Sequence, residues 1–196
     1  MNEPPTQAAP PPEVLLDADA LEATVARLGA EISAAYPDGV VLVAVLKGAL
    51  LFFADLVRTI TVPVEVDFLA LSRYAPDSGR VRLLKDLDVD VTDRPVVLVE
   101  DLVDTGLTLA YLRRQMLERG AASLEVCALL DRSARRIVPL PIRFVGRDVG
   151  DEYVLGYGLH HQDRYRNLPV VLGGDRSLLE ADPDAYVARV YGGTQV

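Results

Sequence analysis

Three carboxylates and two threonine hydroxyls follow directly on an apolar run at residues 96–99. Apolar runs of this kind are typical of buried parallel strands, and open α/β sheets bind their ligands at the carboxyl ends of such strands. The sequence therefore predicts a ligand site where this strand ends. Its candidate polar residues are Glu100, Asp101, Asp104, Thr105 and Thr108.

The turn after the first two acids has the composition of a phosphate site. Thr105 and Thr108 offer hydroxyl donors, and Gly106 lets the backbone approach a ligand closely. The helix predicted to begin at Leu107 adds unpaired N–H groups and the positive end of its dipole. The turn lacks the lysine of a P-loop, and no glycine-rich dinucleotide motif follows a predicted strand. We expect the turn to bind one phosphate group.

The acids suit a sugar better than a phosphate. Glu100 and Asp101 would repel a phosphate, but a carboxylate accepts hydrogen bonds from two vicinal hydroxyls. Both acids could also hold Mg²⁺, directly or through water. Asp104 is a candidate general base, so the set describes a site for a ribose phosphate. The competing interpretations are a plain helix N-cap for Asp104 and a solvated strand end for the other two acids.

The surrounding pattern predicts the elements that position this site. Strands alternate with helices through the middle of the chain, which favours an α/β fold with a mostly parallel twisted sheet flanked by helices. Helices are predicted over residues 17–36, 49–59 and 107–119, the last ended by Gly120. The predicted strands cover residues 40–46, 63–71, 81–88, 96–99, 124–130, 142–145, 153–157 and 170–172.

The bulk composition narrows the class of protein. A chain of 196 residues, half of them apolar, is long enough to build one α/β core. The net charge of −9 argues against a general binder of nucleic acids or anionic membranes, and no apolar run approaches a membrane span. The single cysteine, Cys127, cannot form an internal disulfide, which favours a reducing cytoplasm. The start of the chain does not have the pattern of a signal peptide.

The chain also resembles a known family. The segment from Val96 to Leu109 is similar to the phosphoribosyl pyrophosphate signature of type I phosphoribosyltransferases. Longer matches point to the hypoxanthine-guanine branch of that family, and the resemblance covers roughly residues 14–172. These matches lie at residues 46–48, 81–88, 127–131, 154–158 and 165–169.

The resemblance implies the type I phosphoribosyltransferase fold, with a small hood built from terminal segments. We therefore expect a phosphoribosyltransferase domain over residues 14–175. Residues 1–13 are rich in proline and are predicted to form a disordered arm. Residues 176–196 are predicted to form a C-terminal tail, in which a short helix over residues 183–191 is one option.

The resemblance implies a role for each residue of the central motif. Glu100 and Asp101 are expected to bind the ribose hydroxyls, with Mg²⁺ alongside. Asp104 is expected to face N7 of a purine and to take its proton. The residues expected to bind the 5′-phosphate are Asp104, Thr105, Gly106, Leu107 and Thr108.

Pyrophosphate contacts are implied for three residues outside the motif. Lys47 and Gly48 match the pyrophosphate loop of the family, in which the peptide bond before the lysine is characteristically cis. Arg166 matches an arginine that contacts pyrophosphate, and a guanidinium suits a bidentate phosphate contact. Without the resemblance, Lys47 is more simply interpreted as a solvated lysine and Arg166 as a surface arginine.

Purine contacts and a closing loop are implied elsewhere. Tyr153 matches an aromatic residue that stacks on the purine, and Val154 matches a residue whose backbone contacts the base. Arg132 stands where the family has a lysine that contacts the purine oxygen. Tyr74, preceded by Arg73, matches the tyrosine of a mobile loop that closes over the site. Ordinary strand packing is the competing interpretation for Tyr153 and Val154.

Four positions depart from the family pattern, one of which is Arg147, where an aromatic residue is common. Arg73 replaces a serine, and Arg132 is bulkier and more forked than the usual lysine, so the preferred base could differ. His160 replaces an acid that helps to hold a second Mg²⁺. Imidazole is a poorer Mg²⁺ ligand than a carboxylate, which leaves the second metal site open.

The resemblance therefore implies a Mg²⁺-dependent enzyme of purine salvage. Its substrates would be phosphoribosyl pyrophosphate and hypoxanthine or guanine, and a homodimer or homotetramer is expected. Two alternatives stay open at this point. One is a phosphoribosyltransferase for another base, such as xanthine, and the other is a catalytically weak regulatory relative.

Overall fold

The computed structural model describes residues 11–72 and 82–192. The chain forms two compact units. One unit is the continuous stretch Asp19–Asp151, and the other joins Met1–Ala18 to Glu152–Val196.

The continuous unit is built on a six-stranded sheet with the strand order β4-β3-β2-β5-β6-β7. All neighbouring strands are parallel except β3 and β4, so the predicted mostly parallel sheet is confirmed. The helices of this unit are α1 (Ala18–Ala35), α2 (Leu50–Thr59) and α3 (Leu107–Glu118). Its strands are β2 (Val40–Leu46), β3 (Val64–Leu71), β4 (Leu83–Lys85), β5 (Pro95–Val103), β6 (Ser123–Asp131) and β7 (Phe144–Asp148).

The core of this unit follows from the apolar runs. Strands β2 and β5 lie at the centre of the sheet, and residues 41–44 and 96–99 are fully buried. Apolar residues spaced three and four apart on α1 are buried as predicted, which is the pattern of a helix packed along one face. These residues are Leu21, Val25, Leu28 and Ile32.

Strand β5 continues further than the apolar run suggests. It reaches Val103, so Glu100 and Asp101 lie within the strand instead of following it. The reason is pairing with β6, in which Glu100 lies opposite Ala128 and Val103 lies opposite Asp131. The polar residues therefore begin before the end of the strand, and the turn after it is shorter than predicted.

The second unit has its own sheet and its own core. Strands β1 (Glu13–Leu16), β8 (Tyr153–Leu155) and β9 (Val171–Gly174) form an antiparallel sheet with β9 in the middle. The terminal segments thus make a small separate unit, as the resemblance implies. Two short helices, α4 (Arg176–Ala181) and α5 (Val187–Val190), follow β9.

Both terminal boundaries differ from those expected from the sequence. Strand β1 begins at Glu13, inside the segment predicted to be a disordered arm, because Glu13 pairs with Gly173. The predicted tail contributes to the core of this unit, since Leu179 and Tyr186 are almost fully buried. Helix α5 lies within the range suggested for a terminal helix.

A buried acid in β3 fixes the segment that follows β4. Alternation of apolar and acidic residues in β3 does not reveal that Asp67 is the buried side and Val66 the exposed one. Asp67 accepts hydrogen bonds from three backbone N–H groups, of Phe68, Asp88 and Val89, at 2.6–2.9 Å, and from Lys85 Nζ at 3.1 Å. Burial raises the pKa of Asp67, but these donors outweigh it and leave the pKa below its usual value.

We expect Asp67→Asn to lower the free energy of unfolding by about 2–4 kcal/mol at pH 7, because an amide cannot accept all four bonds. A carboxyl group with a lowered native pKa stabilises the fold above its unfolded pKa, near 3.9, and loses that contribution as the pH falls through its native pKa. The gap between wild type and variant should therefore be constant from pH 7 to about pH 4 and narrow below it. Urea unfolding at several pH values measures this gap.

The matched control is Asp88→Asn. Asp88 also pairs with Lys85 Nζ at 3.1 Å, but its side chain is 85% exposed. Exposed ion pairs contribute about 0–1 kcal/mol, so this variant should remain near wild type. Equal losses in the two variants would show that burial of Asp67 has no special effect.

Among residues 11–72 and 82–192, no helix has the length and apolar character needed to cross a membrane.

Candidate active site

The predicted phosphate turn lies between β5 and α3. The loop that follows β6 anchors it through backbone hydrogen bonds. Gly106 has a φ of 82°, a left-handed conformation that favours glycine, and α3 begins at the next residue. The carbonyl oxygen of Thr105 accepts hydrogen bonds from the backbone N–H groups of Ile137 and Val138, at 3.0 and 3.1 Å. Both bonds hold the backbone of the turn in one conformation.

The residues that match the pyrophosphate loop lie beside one of the acids. The peptide bond between Leu46 and Lys47 is cis, as the resemblance implies. Gly48 is so close to Asp101 that a methyl group in place of its hydrogen would lie 1.7 Å from Asp101 Oδ2. The ends of β2 and β5 thus bring Lys47, Gly48 and Asp101 together, although they are far apart in sequence.

Glu100 is a buried carboxyl group in the middle of the sheet, with 8% of its surface exposed. Its pKa is raised well above the usual value, because burial disfavours the charge and the neighbouring Asp101 adds a like charge. A cation or a set of hydroxyl donors next to these two acids would relieve both effects.

The two acids fit a magnesium ion that is held mainly by its substrate. No group of three or more His, Cys, Asp or Glu side chains suited to a metal occurs in the described part of the chain. Mg²⁺ usually keeps several waters and binds through one or two carboxylates together with substrate phosphates. The adjacent pair Glu100 and Asp101 meets that requirement.

Asp104 lies between two arginines from the loop after β6. Arg132 is buried, and its Nη1 is 3.5 Å from Asp104 Oδ2 while its Nε donates to the carbonyl oxygen of Gly150 at 2.9 Å. Arg135 Nε is 3.5 Å from Asp104 Oδ1, but this contact lacks hydrogen-bond geometry. Oδ1 is therefore buried without a hydrogen bond from any residue that the structure describes. The carboxylate is thus held between two guanidinium groups, and one of its oxygens has no hydrogen bond from the described residues.

A buried ion pair that the sequence does not reveal supports the same turn. Arg136 Nη2 pairs with Asp131 Oδ1, and the side chains of both are about seven-eighths buried. The Arg136 side chain also packs against Gly106, where an added Cβ would lie 3.0 Å from Arg136 Cδ. The charged run 131–136 at the end of a buried strand was the available signal for these residues.

In the second unit, Tyr153 and Val154 lie on β8. Val154 is buried and pairs with Gly173, so the competing interpretation of strand packing applies to its side chain. Tyr153 is half-buried, and its hydroxyl lies 3.0 Å from His161 Nδ1. The guanidinium carbon of Arg176 lies 4.9 Å from the centre of the Tyr153 ring. Sequence reasoning missed both neighbours of Tyr153.

Arg166 and His160 lie in one tight loop of the same unit. Arg166 donates to Asp163 Oδ1 through Nε and Nη2, at 3.2 and 2.7 Å, and to the carbonyl oxygen of Gly158 at 2.6 Å. His160 Nδ1 accepts a hydrogen bond from the Asp163 backbone N–H at 2.9 Å. His160 thus closes the turn that holds Asp163, which gives this departure from the family pattern a structural use.

The predicted site residues that the structure describes are divided between the two units. The continuous unit holds Lys47, Gly48, Arg132, the two acids and the phosphate turn, and the second unit holds Tyr153, Val154, His160 and Arg166. Arg73 and Tyr74 lie outside the described residues.

A mostly parallel α/β sheet with a hydroxyl-rich turn, paired acids and a held aspartate at its carboxyl edge has the features of a class of proteins that bind ribose phosphates. The sequence model of one protein family, the phosphoribosyl transferase domain, matches residues 13–159. The chain belongs to the phosphoribosyltransferase family.

Several relatives share most of this chain. It is 42% identical over 165 residues to the hypoxanthine phosphoribosyltransferase of Salmonella typhimurium, covering 81% of this chain and 93% of that protein. It is 43% identical over 168 residues to the hypoxanthine-guanine phosphoribosyltransferase of Mycobacterium avium, covering 81% and 83%. A crystal structure of a hypoxanthine-guanine phosphoribosyltransferase from Bacillus anthracis superposes with a TM-score of 0.80 at 37% identity, covering 83% of this chain and 98% of that one.

Proposed function

We propose that this protein is a purine salvage enzyme that makes nucleotides from phosphoribosyl pyrophosphate and a purine base. The bond between C1 of the ribose and pyrophosphate breaks, and a bond from C1 to N9 of hypoxanthine or guanine forms. The products are IMP or GMP and pyrophosphate, and the proton on N7 of the base passes to the enzyme.

One observation carries this proposal. Asp104 begins the phosphate turn and is held by Arg132 at 3.5 Å. A general base and a donor suited to a purine oxygen thus lie side by side, next to a turn suited to the 5′-phosphate. The names of the relatives, hypoxanthine and hypoxanthine-guanine phosphoribosyltransferase, point to the same reaction.

The side chains divide the work as follows. Glu100 and Asp101 bind the ribose hydroxyls and stabilise the positive charge that develops at C1. Asp104 accepts the N7 proton, and Arg132 donates to the oxygen of the base. Backbone N–H groups and the hydroxyls of Thr105 and Thr108 hold the 5′-phosphate.

The remaining roles follow the family resemblance. Lys47, Gly48 and Arg166 contact the departing pyrophosphate, and Tyr153 and Val154 contact the base. Tyr74, with Arg73 before it, belongs to a loop that closes to exclude water from the reacting centre. When bound, Mg²⁺ would neutralise charge on the pyrophosphate beside Glu100 and Asp101, directly or through water.

A steady-state assay tests the proposal. The protein is mixed with phosphoribosyl pyrophosphate, MgCl₂ and either hypoxanthine, guanine, xanthine or adenine, and pyrophosphate release is measured. We expect turnover with hypoxanthine and guanine and little with adenine. No release with any base, under conditions in which a known transferase is active, would reject the enzyme and favour a regulatory relative.

Xanthine is the second candidate base. Arg132 supports it, because a guanidinium offers more donors than the usual lysine and xanthine carries an additional oxygen. A higher kcat/KM for xanthine than for hypoxanthine in the same assay would establish this alternative.

The setting of the enzyme is also part of the proposal. Cys127 is buried in β6, and burial raises the pKa of its thiol, so it behaves as a packing residue that suits a reducing cytoplasm. A homodimer or homotetramer follows from the resemblance, and the exposed apolar side chains of Val66 and Leu84 on neighbouring strands suit a contact between copies. Light scattering of the purified protein measures its oligomeric state.

A further inference from the structure

The ring of Tyr153 is held by two side chains from later in the chain. Arg176 places its guanidinium carbon 4.9 Å from the ring centre, and His161 Nδ1 lies 3.0 Å from the hydroxyl. The imidazole meets the ring edge to face, at 70° and 5.6 Å between centroids. One contact covers a face of the ring and the other lies at its hydroxyl end.

The fold of the second unit explains why Arg176 reaches this position. Tyr153 on β8 pairs with Gly174 on β9, so the chain leaves the sheet beside the tyrosine. Asp175 then caps α4 by accepting from the N–H groups of Ser177 and Leu178, at 2.8 and 3.2 Å. The Asp175 N–H in turn donates to the hydroxyl of the buried Tyr186, at 2.9 Å. Arg176 is therefore presented from an anchored position.

We propose that Arg176 and His161 are positioning residues that orient the Tyr153 ring for stacking on the purine. This inference rests on the proposed function, in which Tyr153 contacts the base. A guanidinium over one face of an aromatic ring is attracted by its π electrons and restricts the ring's motion. A base can then stack only on the opposite face, so Arg176 selects the face that is used.

His161 completes the arrangement at the other end of the ring. It is buried, and its Nε2 atom has no hydrogen-bond partner within residues 11–72 and 82–192. Among the described residues, its side-chain hydrogen bond goes to the hydroxyl of Tyr153, which fixes where the hydroxyl end of the ring lies. The buried imidazole thus holds the hydroxyl end of the ring that is proposed to stack on the base.

The Arg176 side chain is exposed and adds little to the core, so its loss should not lower stability. A positioning role should instead change the KM for the base. We expect Arg176→Gln to raise the KM for hypoxanthine about two- to fivefold. The kcat, the KM for phosphoribosyl pyrophosphate and the melting temperature should stay near wild type. Arg176→Lys keeps a cation and should recover part of the loss, and His161→Phe should also raise the KM for the base.

The matched control is Arg164→Gln. Arg164 is an exposed arginine of the same unit whose Nε pairs with Asp184 at 2.6 Å. This variant makes the same change of charge at a side chain that pairs with Asp184, and it keeps the backbone bond from Arg164 to His161. Its KM for hypoxanthine should therefore not change. Equal base KM values for Arg176→Gln and Arg164→Gln, or an equal rise in the KM for the donor, would overturn the inference.

Tyr153→Leu separates failure of the inference from failure of the proposed function. A rise in the base KM supports the tyrosine contact, and Arg176→Gln should then have no effect in the Tyr153→Leu background. An unchanged base KM in Tyr153→Leu would remove the proposed contact and this inference with it. A full effect of Arg176→Gln in that background would overturn the inference alone. An inactive wild-type protein would reject the proposed enzyme itself.

Discussion

Asp104→Asn is expected to lower kcat by about 10²–10⁴-fold while the KM for phosphoribosyl pyrophosphate changes little. An amide has nearly the shape of a carboxylate, so it can still accept from Arg132 and leave the phosphate turn in place. It cannot take the N7 proton from the base. A loss that appears equally in kcat and kcat/KM marks an interaction made only in the transition state. Steady-state kinetics with both substrates varied measure it.

The control for this prediction lies on the other side of Arg135. Asp151 is 3.8 Å from Arg135 Nε, and its side chain is 85% exposed. Asp151→Asn removes the same charge near the same arginine, and its kcat should remain at the wild-type value. A kcat for Asp104→Asn within about tenfold of wild type would mean that another group accepts the proton.

The positions of the strands could be predicted wherever a run was apolar throughout. Strand β2 covers Val40–Leu46, the predicted range, because a strand buried on both faces needs a continuous apolar run. The buried face of β3 could not be predicted in this way. Alternation assigns residues to two faces of a strand but does not show which face is buried. Asp67 is inside because four donors surround it, and those donors come largely from residues 85–89.

The components of the site could be predicted, but their contacts could not. The composition of residues 100–108 indicates a ribose phosphate site on physical grounds. Asp104 and Arg132 are 28 residues apart, and they meet because β5 pairs with β6 up to Val103 and Asp131. The pairing of Arg136 with Asp131 and the stacking of Arg176 on Tyr153 likewise depend on the path of the chain after each strand. Such contacts follow from topology, which local patterns do not specify.

Gly48→Ala is the second prediction with a large expected effect. The new methyl group would lie 1.7 Å from Asp101 Oδ2 and 2.5 Å from Asp101 Cγ, so the carboxylate must move. The obstructing atoms belong to a side chain and not to the backbone, so the fold should survive with a melting temperature near that of wild type. A displaced Asp101 should then fail to reach the ribose hydroxyls that it is proposed to bind. Because hydrogen bonds to charged groups contribute about 1.5–3 kcal/mol, kcat/KM for the donor should fall about 10–150-fold.

Gly173→Ala is the matched glycine control, since its added methyl group would lie 3.4 Å from the nearest atoms of Leu15, an ordinary contact distance. Its kcat/KM should equal that of wild type. The mechanism itself is tested in the Asp101→Ala background, where the obstructing carboxylate is absent. If Gly48→Ala acts by displacing Asp101, it should cost little there, and the two losses should be strongly non-additive. Full additivity would mean that Gly48 serves the donor in another way, for example by letting pyrophosphate approach the backbone next to Lys47.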